Sequence, residues 1–292
     1  MATDYAALKD AGFMRQPQEG RFSLRLKVVG GRLTTSQLAT IAAASERYGD
    51  GRVHLTSRQA VEIPYIKLED IDAIQAELKA GGVETAQVGA RVRTVTACQG
   101  SEVCRHGCIE TYPLAVELDG RYTGRKLPHK FKIGITGCAN NCLKAEENDL
   151  GIKGGYAKEW LEDACNLCEA CLQACRHGAI SLVDDAICVD KTVCVDCGRC
   201  VQACAYEAWD AEPGFILSFG GTFGNSIAIG ERILPIITDR EVLLRVADAT
   251  VAYFQEHGQP GERFRTTIER TGWAALRQAM EEANTAVEAT SP

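Results

Sequence analysis

Residues 127–142 run Leu-Pro-His-Lys-Phe-Lys-Ile-Gly-Ile-Thr-Gly-Cys-Ala-Asn-Asn-Cys. The segment 131–135 is expected to be a strand, whose period-2 alternation sets Lys130 and Lys132 on one face with Phe131 and Ile133 packed behind. The strand runs straight into Cys138-x3-Cys142. Upstream, a second expected strand over 92–96 runs in the same way into Cys98-x5-Cys104. Two strands, each ending in a pair of thiols and one carrying two ammonium groups, form the frame to which the other elements attach.

Toward the N-terminus, Phe22, Leu24, Leu26 and Val28 alternate along 21–28 as one side of a half-buried strand that Gly30-Gly31 turns. A helix over 36–48, strands over 52–56 and 60–64, and a helix from Asp70 with Ile71, Ile74 and Leu78 on one face follow, closed by Gly81-Gly82. This βαββα order makes residues 1–85 a ferredoxin-like half-domain. Toward the C-terminus, strands are expected over 150–153 and 214–219 and helices over 239–257 and 262–284. Residues 86–155 and 213–292 therefore form a second α+β domain, interrupted by an insert over 156–212.

The insert stands apart in composition. It holds eleven acidic and four basic side chains, and so carries the whole formal net charge of −7, the remainder being neutral. That argues against nucleic acid as a partner and allows docking to a basic protein face. No apolar run is long enough for membrane insertion. The start, Met-Ala-Thr-Asp-Tyr, lacks the basic and apolar stretches of a secretory signal, so a reducing cytoplasm is the expected setting. Fourteen cysteines there point to metal or redox chemistry rather than disulfides.

Eight of them form the only internal repeat. Cys165-x2-Cys168-x2-Cys171-x3-Cys175 recurs as Cys194-x2-Cys197-x2-Cys200-x3-Cys204, the pattern of bacterial two-cluster ferredoxins, in which the fourth cysteine of each run serves the other cluster. One set is then Cys165, Cys168, Cys171 and Cys204, the other Cys194, Cys197, Cys200 and Cys175. Arg176 and Ala205 stand where proline usually follows the fourth cysteine, and a tandem zinc site is the alternative. Of the other six cysteines, Cys108 and Cys188 read as small buried hydrophobes, although Cys108 could replace Cys104.

Leu55-Thr-Ser-Arg-Gln59, Ala97-Cys-Gln-Gly-Ser-Glu-Val-Cys104 and the 127–142 stretch together resemble the siroheme nitrite/sulfite reductases, and within them the C subunits of anaerobic sulfite reductases. The resemblance implies a third [4Fe-4S] cluster on Cys98, Cys104, Cys138 and Cys142, with Cys142 also the axial ligand of the siroheme iron. It implies that Arg25 (or Lys27 in its place), Arg58, Lys130 and Lys132 face a small oxyanion. Thr56, Arg58, Gln59, Asn140, Asn141, Gly220, Gly221 and Asn225 are the positions expected to meet the siroheme carboxylates.

The expected protein is an α+β enzyme that reduces sulfite to sulfide with six electrons, using siroheme and three [4Fe-4S] clusters. Nitrite reduction to ammonia is the same-chemistry alternative, and an electron-transfer subunit with a non-catalytic tetrapyrrole site the other. No glycine-rich stretch carries a G-x-G-x-x-G dinucleotide fingerprint. Electrons are therefore expected from a separate protein, which the resemblance implies is an iron–sulfur/flavoprotein donor. Assimilatory members of the family carry two copies of the reductase fold and this chain one, so a homodimer or a heteromer is expected to complete the site.

Overall fold

The computed structural model describes residues 3–286; the outermost residues of the terminal ranges above, 1–2 and 287–292, lie outside them. Asp4 caps α1 (Tyr5–Asp10) by accepting from the Ala6 and Ala7 amides, both at 3.0 Å. β1 (Phe13–Arg15), β2 (Arg21–Arg25), α2 (Thr35–Tyr48), β3 (His54–Leu55), β4 (Val61–Lys67) and α3 (Ile71–Ala80) then complete the first unit. Its sheet is antiparallel in the order β1-β2-β4-β3. Phe22, Leu24, Leu26 and Val28 are buried, and Ile71, Ile74 and Leu78 of α3 join them with Ile41 of α2 in one core. The period-2 and helical patterns thus bury the faces they mark. A capping box in which Thr34 and Gln37 exchange hydrogen bonds starts α2.

The second unit contains β5 (Thr96–Ala97), α4 (Thr111–Tyr122), β6 (Ile133–Thr136) and β7 (Leu150–Trp160). After β7 come α5 (Ala170–Ala174), β8 (Ile180–Val183), β9 (Ala186–Val189) and α6 (Arg199–Ala203). β10 (Trp209–Phe219), α7 (Arg240–His257), α8 (Phe264–Thr271) and α9 (Trp273–Thr285) end it. The sheet order is β10-β7-β6-β5, with β5, β6 and β7 parallel and β10 antiparallel to β7. All four residues of β6 are buried, as a parallel strand covered on both faces requires. Phe131 packs against Phe254 of α7 and Phe264 of α8 at ring-centroid distances of 5.8 and 5.3 Å. The single helix expected over 262–284 is two, because Gly272 at φ +94° breaks it.

β7 and β10 extend well beyond the expected strands. They pair from Leu150↔Phe219 to Trp160↔Trp209, a two-stranded ribbon that leaves the sheet and carries the chain between 160 and 209 at its tip. There α5 packs on α6 beside the β8–β9 hairpin, around Cys171, Cys200, Ile180, Ile187 and Trp209. Among the described residues no helix is long and apolar enough to cross a membrane.

Candidate anion cleft and thiol sets

Arg25, Arg58, Arg93, Lys130 and Lys132 line a single cleft of about 260 Å³ between the two units. Arg25 ends β2 opposite Glu62 of β4, which it reaches through Nε at 2.8 Å and Nη2 at 2.6 Å. Arg58 projects from a tight turn closed by the Ala60 amide donating to Thr56 Oγ1 at 3.0 Å, with Gln59 in the left-handed region at φ +61°. Its guanidinium donates to Asn148 Oδ1 (2.8 Å) and to the Thr94 carbonyl (3.1 Å), tying the first unit to the second. Arg93 donates through Nη2 to the Gly89 carbonyl at 3.1 Å, while its Nε is buried without a partner.

Below this surface lies Asp149, fully buried, accepting from the Lys132 amide (2.8 Å) and from Nη2 of Arg263 (3.0 and 3.1 Å). Burial pushes its carboxyl up and Arg263 opposes the shift. Glu62 and Asp149 are too few to balance the cations, and the protonation equilibria register it. Burial, opposed by Asp149 and reinforced by Arg93, Arg25 and Arg263, holds Arg58 down at about 10. Burial and then Arg58 push Lys132 down to about 8. Burial lowers Lys130, Arg93 and His129 as well. An anion in the cleft would relieve the shifts of the lining cations at once, and the unpartnered Nε of Arg93 is a cleft donor still to be satisfied.

The other anticipated positions divide. Lys27 is turned away, bound to Glu84 (3.1 Å) and Asp119 (3.0 Å), which leaves Arg25 alone in the cleft. Thr56 lines the cleft, but Gln59 does not: its amide brackets the Ala97 backbone, donating at 2.8 Å and accepting at 3.0 Å. Asn141, at φ +52°, accepts from the Ala145 amide at 2.8 Å and donates to Glu146 at 2.8 Å, shaping the loop after Cys138. Asn140 and Asn225 are exposed. The Gly220-Gly221 turn packs on that same loop so closely that a Cβ on Gly221 would stand 2.1 Å from the Glu146 carbonyl. Arg93, Arg263 and Asp149 were not singled out from sequence. Arg93 falls in the strand expected over 92–96, but β5 is only Thr96–Ala97 and Arg93 precedes it; the Asp149–Arg263 pair spans 114 residues and has no local mark.

The thiols fall into three groups. Cys138 is raised by burial first and then by the nearby charges of Cys104, Cys142 and Cys98, so it lies within electrostatic reach of the other three, and the Gly137 amide donates to Cys98 Sγ at 3.0 Å. Cys165, Cys168, Cys171 and Cys204 line one small cavity with Trp160 and Trp209, while Cys175, Cys194, Cys197 and Cys200 line another with Lys158. Among the described residues no group of three or more His, Cys, Asp and Glu side chains is arranged to hold a single metal ion. Cys108 is buried and pushed up to about 12 by burial and then by Cys138 and Cys197, which places it between two of the groups. Cys188, expected to be buried, is instead exposed on β9.

Four-thiol sets suit iron–sulfur clusters, and a cleft with an excess of cations and an unpaired guanidinium donor suits a polycarboxylate and a small oxyanion. The residues present fit both groups. Cleft and thiols nevertheless lie at opposite ends of the same strands: Thr94 and Lys132 precede β5 and β6, and Cys98 and Cys138 follow them. Six residues at about 3.3 Å each allow Lys132 and Cys138 to stand at most roughly 20 Å apart.

A ferredoxin-like half-domain closing a cationic cleft against a thiol-bearing parallel sheet is the architecture of iron–sulfur oxyanion reductases. The comparisons with known proteins agree: residues 14–81 match the nitrite/sulfite reductase ferredoxin-like half domain, and residues 88–286 the nitrite and sulphite reductase 4Fe-4S domain. The chain belongs to the nitrite and sulphite reductase family, which binds siroheme and a [4Fe-4S] cluster.

Among curated proteins it is similar to the Coenzyme F420-dependent sulfite reductase of Methanocaldococcus jannaschii (28% identity, 94% of this chain and 44% of that protein). It is also similar to the C subunit of the anaerobic sulfite reductase of Salmonella typhimurium (33% identity, 55% of this chain and 51% of that protein). The chain thus spans about half the length of these relatives. In fold it resembles dissimilatory sulfite reductase I, with a TM-score of 0.72 at 18% identity, covering 93% of this chain and 72% of the other.

Proposed function

We propose that the protein reduces sulfite to sulfide, taking up six electrons, with siroheme and three [4Fe-4S] clusters. The observation that carries this reading is the convergence of Arg25, Arg58, Arg93, Lys130 and Lys132 on one cleft of a family member whose sheet also carries the Cys98, Cys104, Cys138 and Cys142 set. Those four thiolates would hold one cluster, and Cys142 would also ligate the siroheme iron. Siroheme, when bound, supplies the iron at which the oxyanion is reduced.

The chain's own residues do the rest. Arg25 and Arg58 stay protonated and orient the oxyanion. Lys130 and Lys132 carry protons, and Lys132, held near 8, can give one up close to neutrality. Conversion of sulfite to hydrosulfide consumes six electrons and seven protons and releases three waters, so a cleft that both neutralises charge and delivers protons matches the demand. Thr56, Asn140, Gly220, Gly221 and Asn225 are positions from which the tetrapyrrole carboxylates can be met, whereas Gln59 and Asn141 act on them through the backbone they hold.

Residues 156–212 would be an inserted two-cluster ferredoxin module between the halves 86–155 and 213–292 of the reductase domain, with 1–85 as the half-domain. The crossed thiol sets each lining one cavity support it. Electrons would enter the module from a separate iron–sulfur or flavoprotein donor. The separation of cleft from thiols favours a twofold assembly in which the cations of one copy serve the cluster held by the other.

Anaerobic purification followed by iron, sulfide and tetrapyrrole analysis tests the reading. About twelve cluster irons and one siroheme iron per chain are expected, with reduction of sulfite faster than that of nitrite. Stoichiometric zinc or the lack of a tetrapyrrole spectrum would overturn it, and preference for nitrite would transfer the site to ammonia formation.

A further inference from the structure

The two thiol sets of the insert are alike in spacing and unlike in charge. Around Cys165, Cys168, Cys171 and Cys204 the cavity wall holds Trp160, Trp209 and Tyr206 and no lysine or arginine. Around Cys175, Cys194, Cys197 and Cys200 it holds Lys158 and Arg199, with His177, and of these Lys158 is the one hydrogen-bonded to a thiol of the set. The Lys158 side chain, 6% exposed, enters from β7, and its Nζ lies 2.8 Å from Asp196 Oδ1 and 3.3 Å from Cys194 Sγ. The other Asp196 oxygen accepts from Arg232 Nη1 at 2.8 Å, fixing the pair from behind. In the repeat, Asp196 stands where the first run has Leu167.

Backbone donors do not account for the contrast. The Ala179 amide donates to Cys175 and the Ala208 amide to Cys204, both at 3.3 Å, and the first set has a further donor, the Leu167 amide to Cys165 at 3.4 Å. The asymmetry is one of charge, Glu169 lining the first cavity and Lys158 and Arg199 the second, and the buried Lys158 ammonium is the part of it that touches a ligand sulfur. It belongs to the set nearer the reductase sheet: Cys108 feels both Cys197 and Cys138, and the Tyr156 amide of β7 donates to the Asp196 carbonyl at 2.9 Å.

We propose that Lys158 sets the reduction potential of the cluster on Cys175, Cys194, Cys197 and Cys200 above that of its twin, making it the exit of the insert. The proposal rests on the two-cluster reading of residues 156–212. A cluster gains one negative charge on reduction, and a hydrogen-bonded cation beside a ligating sulfur stabilises that charge. In the transfer, the cluster on Cys165, Cys168, Cys171 and Cys204 loses one electron and the cluster beside Lys158 gains it, with no bond or proton moved. The first cluster is recharged by an external one-electron reductant, a reduced dye in the titration below. Lys158 acts through Cys194 and is a positioning residue, not a catalytic one.

The test is a potentiometric titration of the anaerobic, cluster-loaded protein followed by electron paramagnetic resonance. Lys158→Met should lower the midpoint of one cluster by about tenfold in its reduced-to-oxidised ratio, or 59 mV for one electron. Asp196→Asn, which removes the opposing negative charge, should raise the same midpoint, and Lys158→Arg should leave it within about twofold. In the wild type that cluster should be the more positive of the two in the insert. Unmoved midpoints in both variants, shifts of the same sign, or a moved cluster that is the more negative one would overturn the proposal. If Lys158→Met sheds iron, Asp196→Asn and Lys158→Arg carry the test. Wild-type protein with only about four cluster irons would instead overturn the two-cluster reading itself.

Discussion

Lys132 is pulled two ways: the cleft needs its charge, and burial next to Arg58 disfavours that charge. With its pKa pushed down to about 8 from the usual 10.5, the unfolded chain binds more protons than the folded one between those values. Lys132 therefore costs stability that is present in full below pH 8 and is relieved as pH rises toward 10.5. Lys132→Met should stabilise the fold at pH 7, by on the order of 1–2 kcal/mol once remaining solvent contact is discounted, and so raise the thermal midpoint. It should also lower sulfite turnover by about 100-fold, the effect of deleting one preorganised charge-stabilising group. Because a bound anion raises Lys132 again, wild-type turnover should fall only on the alkaline side of pH 8, a limb that Lys132→Arg moves upward. Thermal melts and pH–rate profiles check both, and a destabilised, fully active Lys132→Met would refute them. Arg25, Arg58, Lys130 and Lys132 were legible because they sit in motifs; Arg263 and Asp149 were not, because only folding brings them together.

At the scale of elements, the ribbon of β7 and β10 does what short strands could not: it holds the insert against the loop that carries Cys138. Gly154 is pressed into that loop so tightly that a Cβ there would lie 2.3 Å from the Gly137 carbonyl. Gly154→Ala should therefore cost about 1–3 kcal/mol and reduce cluster iron by about four per chain, measured by anaerobic iron analysis; full iron content would argue that the loop yields freely. This ribbon was only half legible. The strands expected over 150–153 and 214–219 stop short of Gly154-Gly155 and Pro213, yet all three are paired across the ribbon, Gly154 with Phe215, Gly155 with Gly214 and Pro213 with Tyr156. Helix α4 was missed because Pro113 and Gly120 interrupt its pattern, although a proline in the first turn removes no hydrogen bond. Strand β2 and helices α3 and α7 were legible because one face of each is apolar and buried, whereas α2 buries only Ile41, Ala44 and Ser45.

For the whole molecule, the distance of the cleft from the thiols and the place of the insert give separate predictions. Arg58→Ala and Cys142→Ala chains, each inactive alone, should regain part of the activity when mixed if copies share sites; no recovery in demonstrably mixed dimers would confine each site to one chain. Cys197→Ala should cripple turnover with a protein donor while small reducing dyes that bypass the insert still support part of it, and equal loss in both assays would make the insert structural. The central claim, that this cleft and these clusters together reduce sulfite, is tested most directly by counting electrons. Anaerobically purified protein, given sulfite and a reduced dye, should oxidise dye only when sulfite is present, and six electrons should be consumed for each sulfide formed. Dye oxidation that ignores sulfite, or sulfite-dependent oxidation that yields no sulfide, would contradict it.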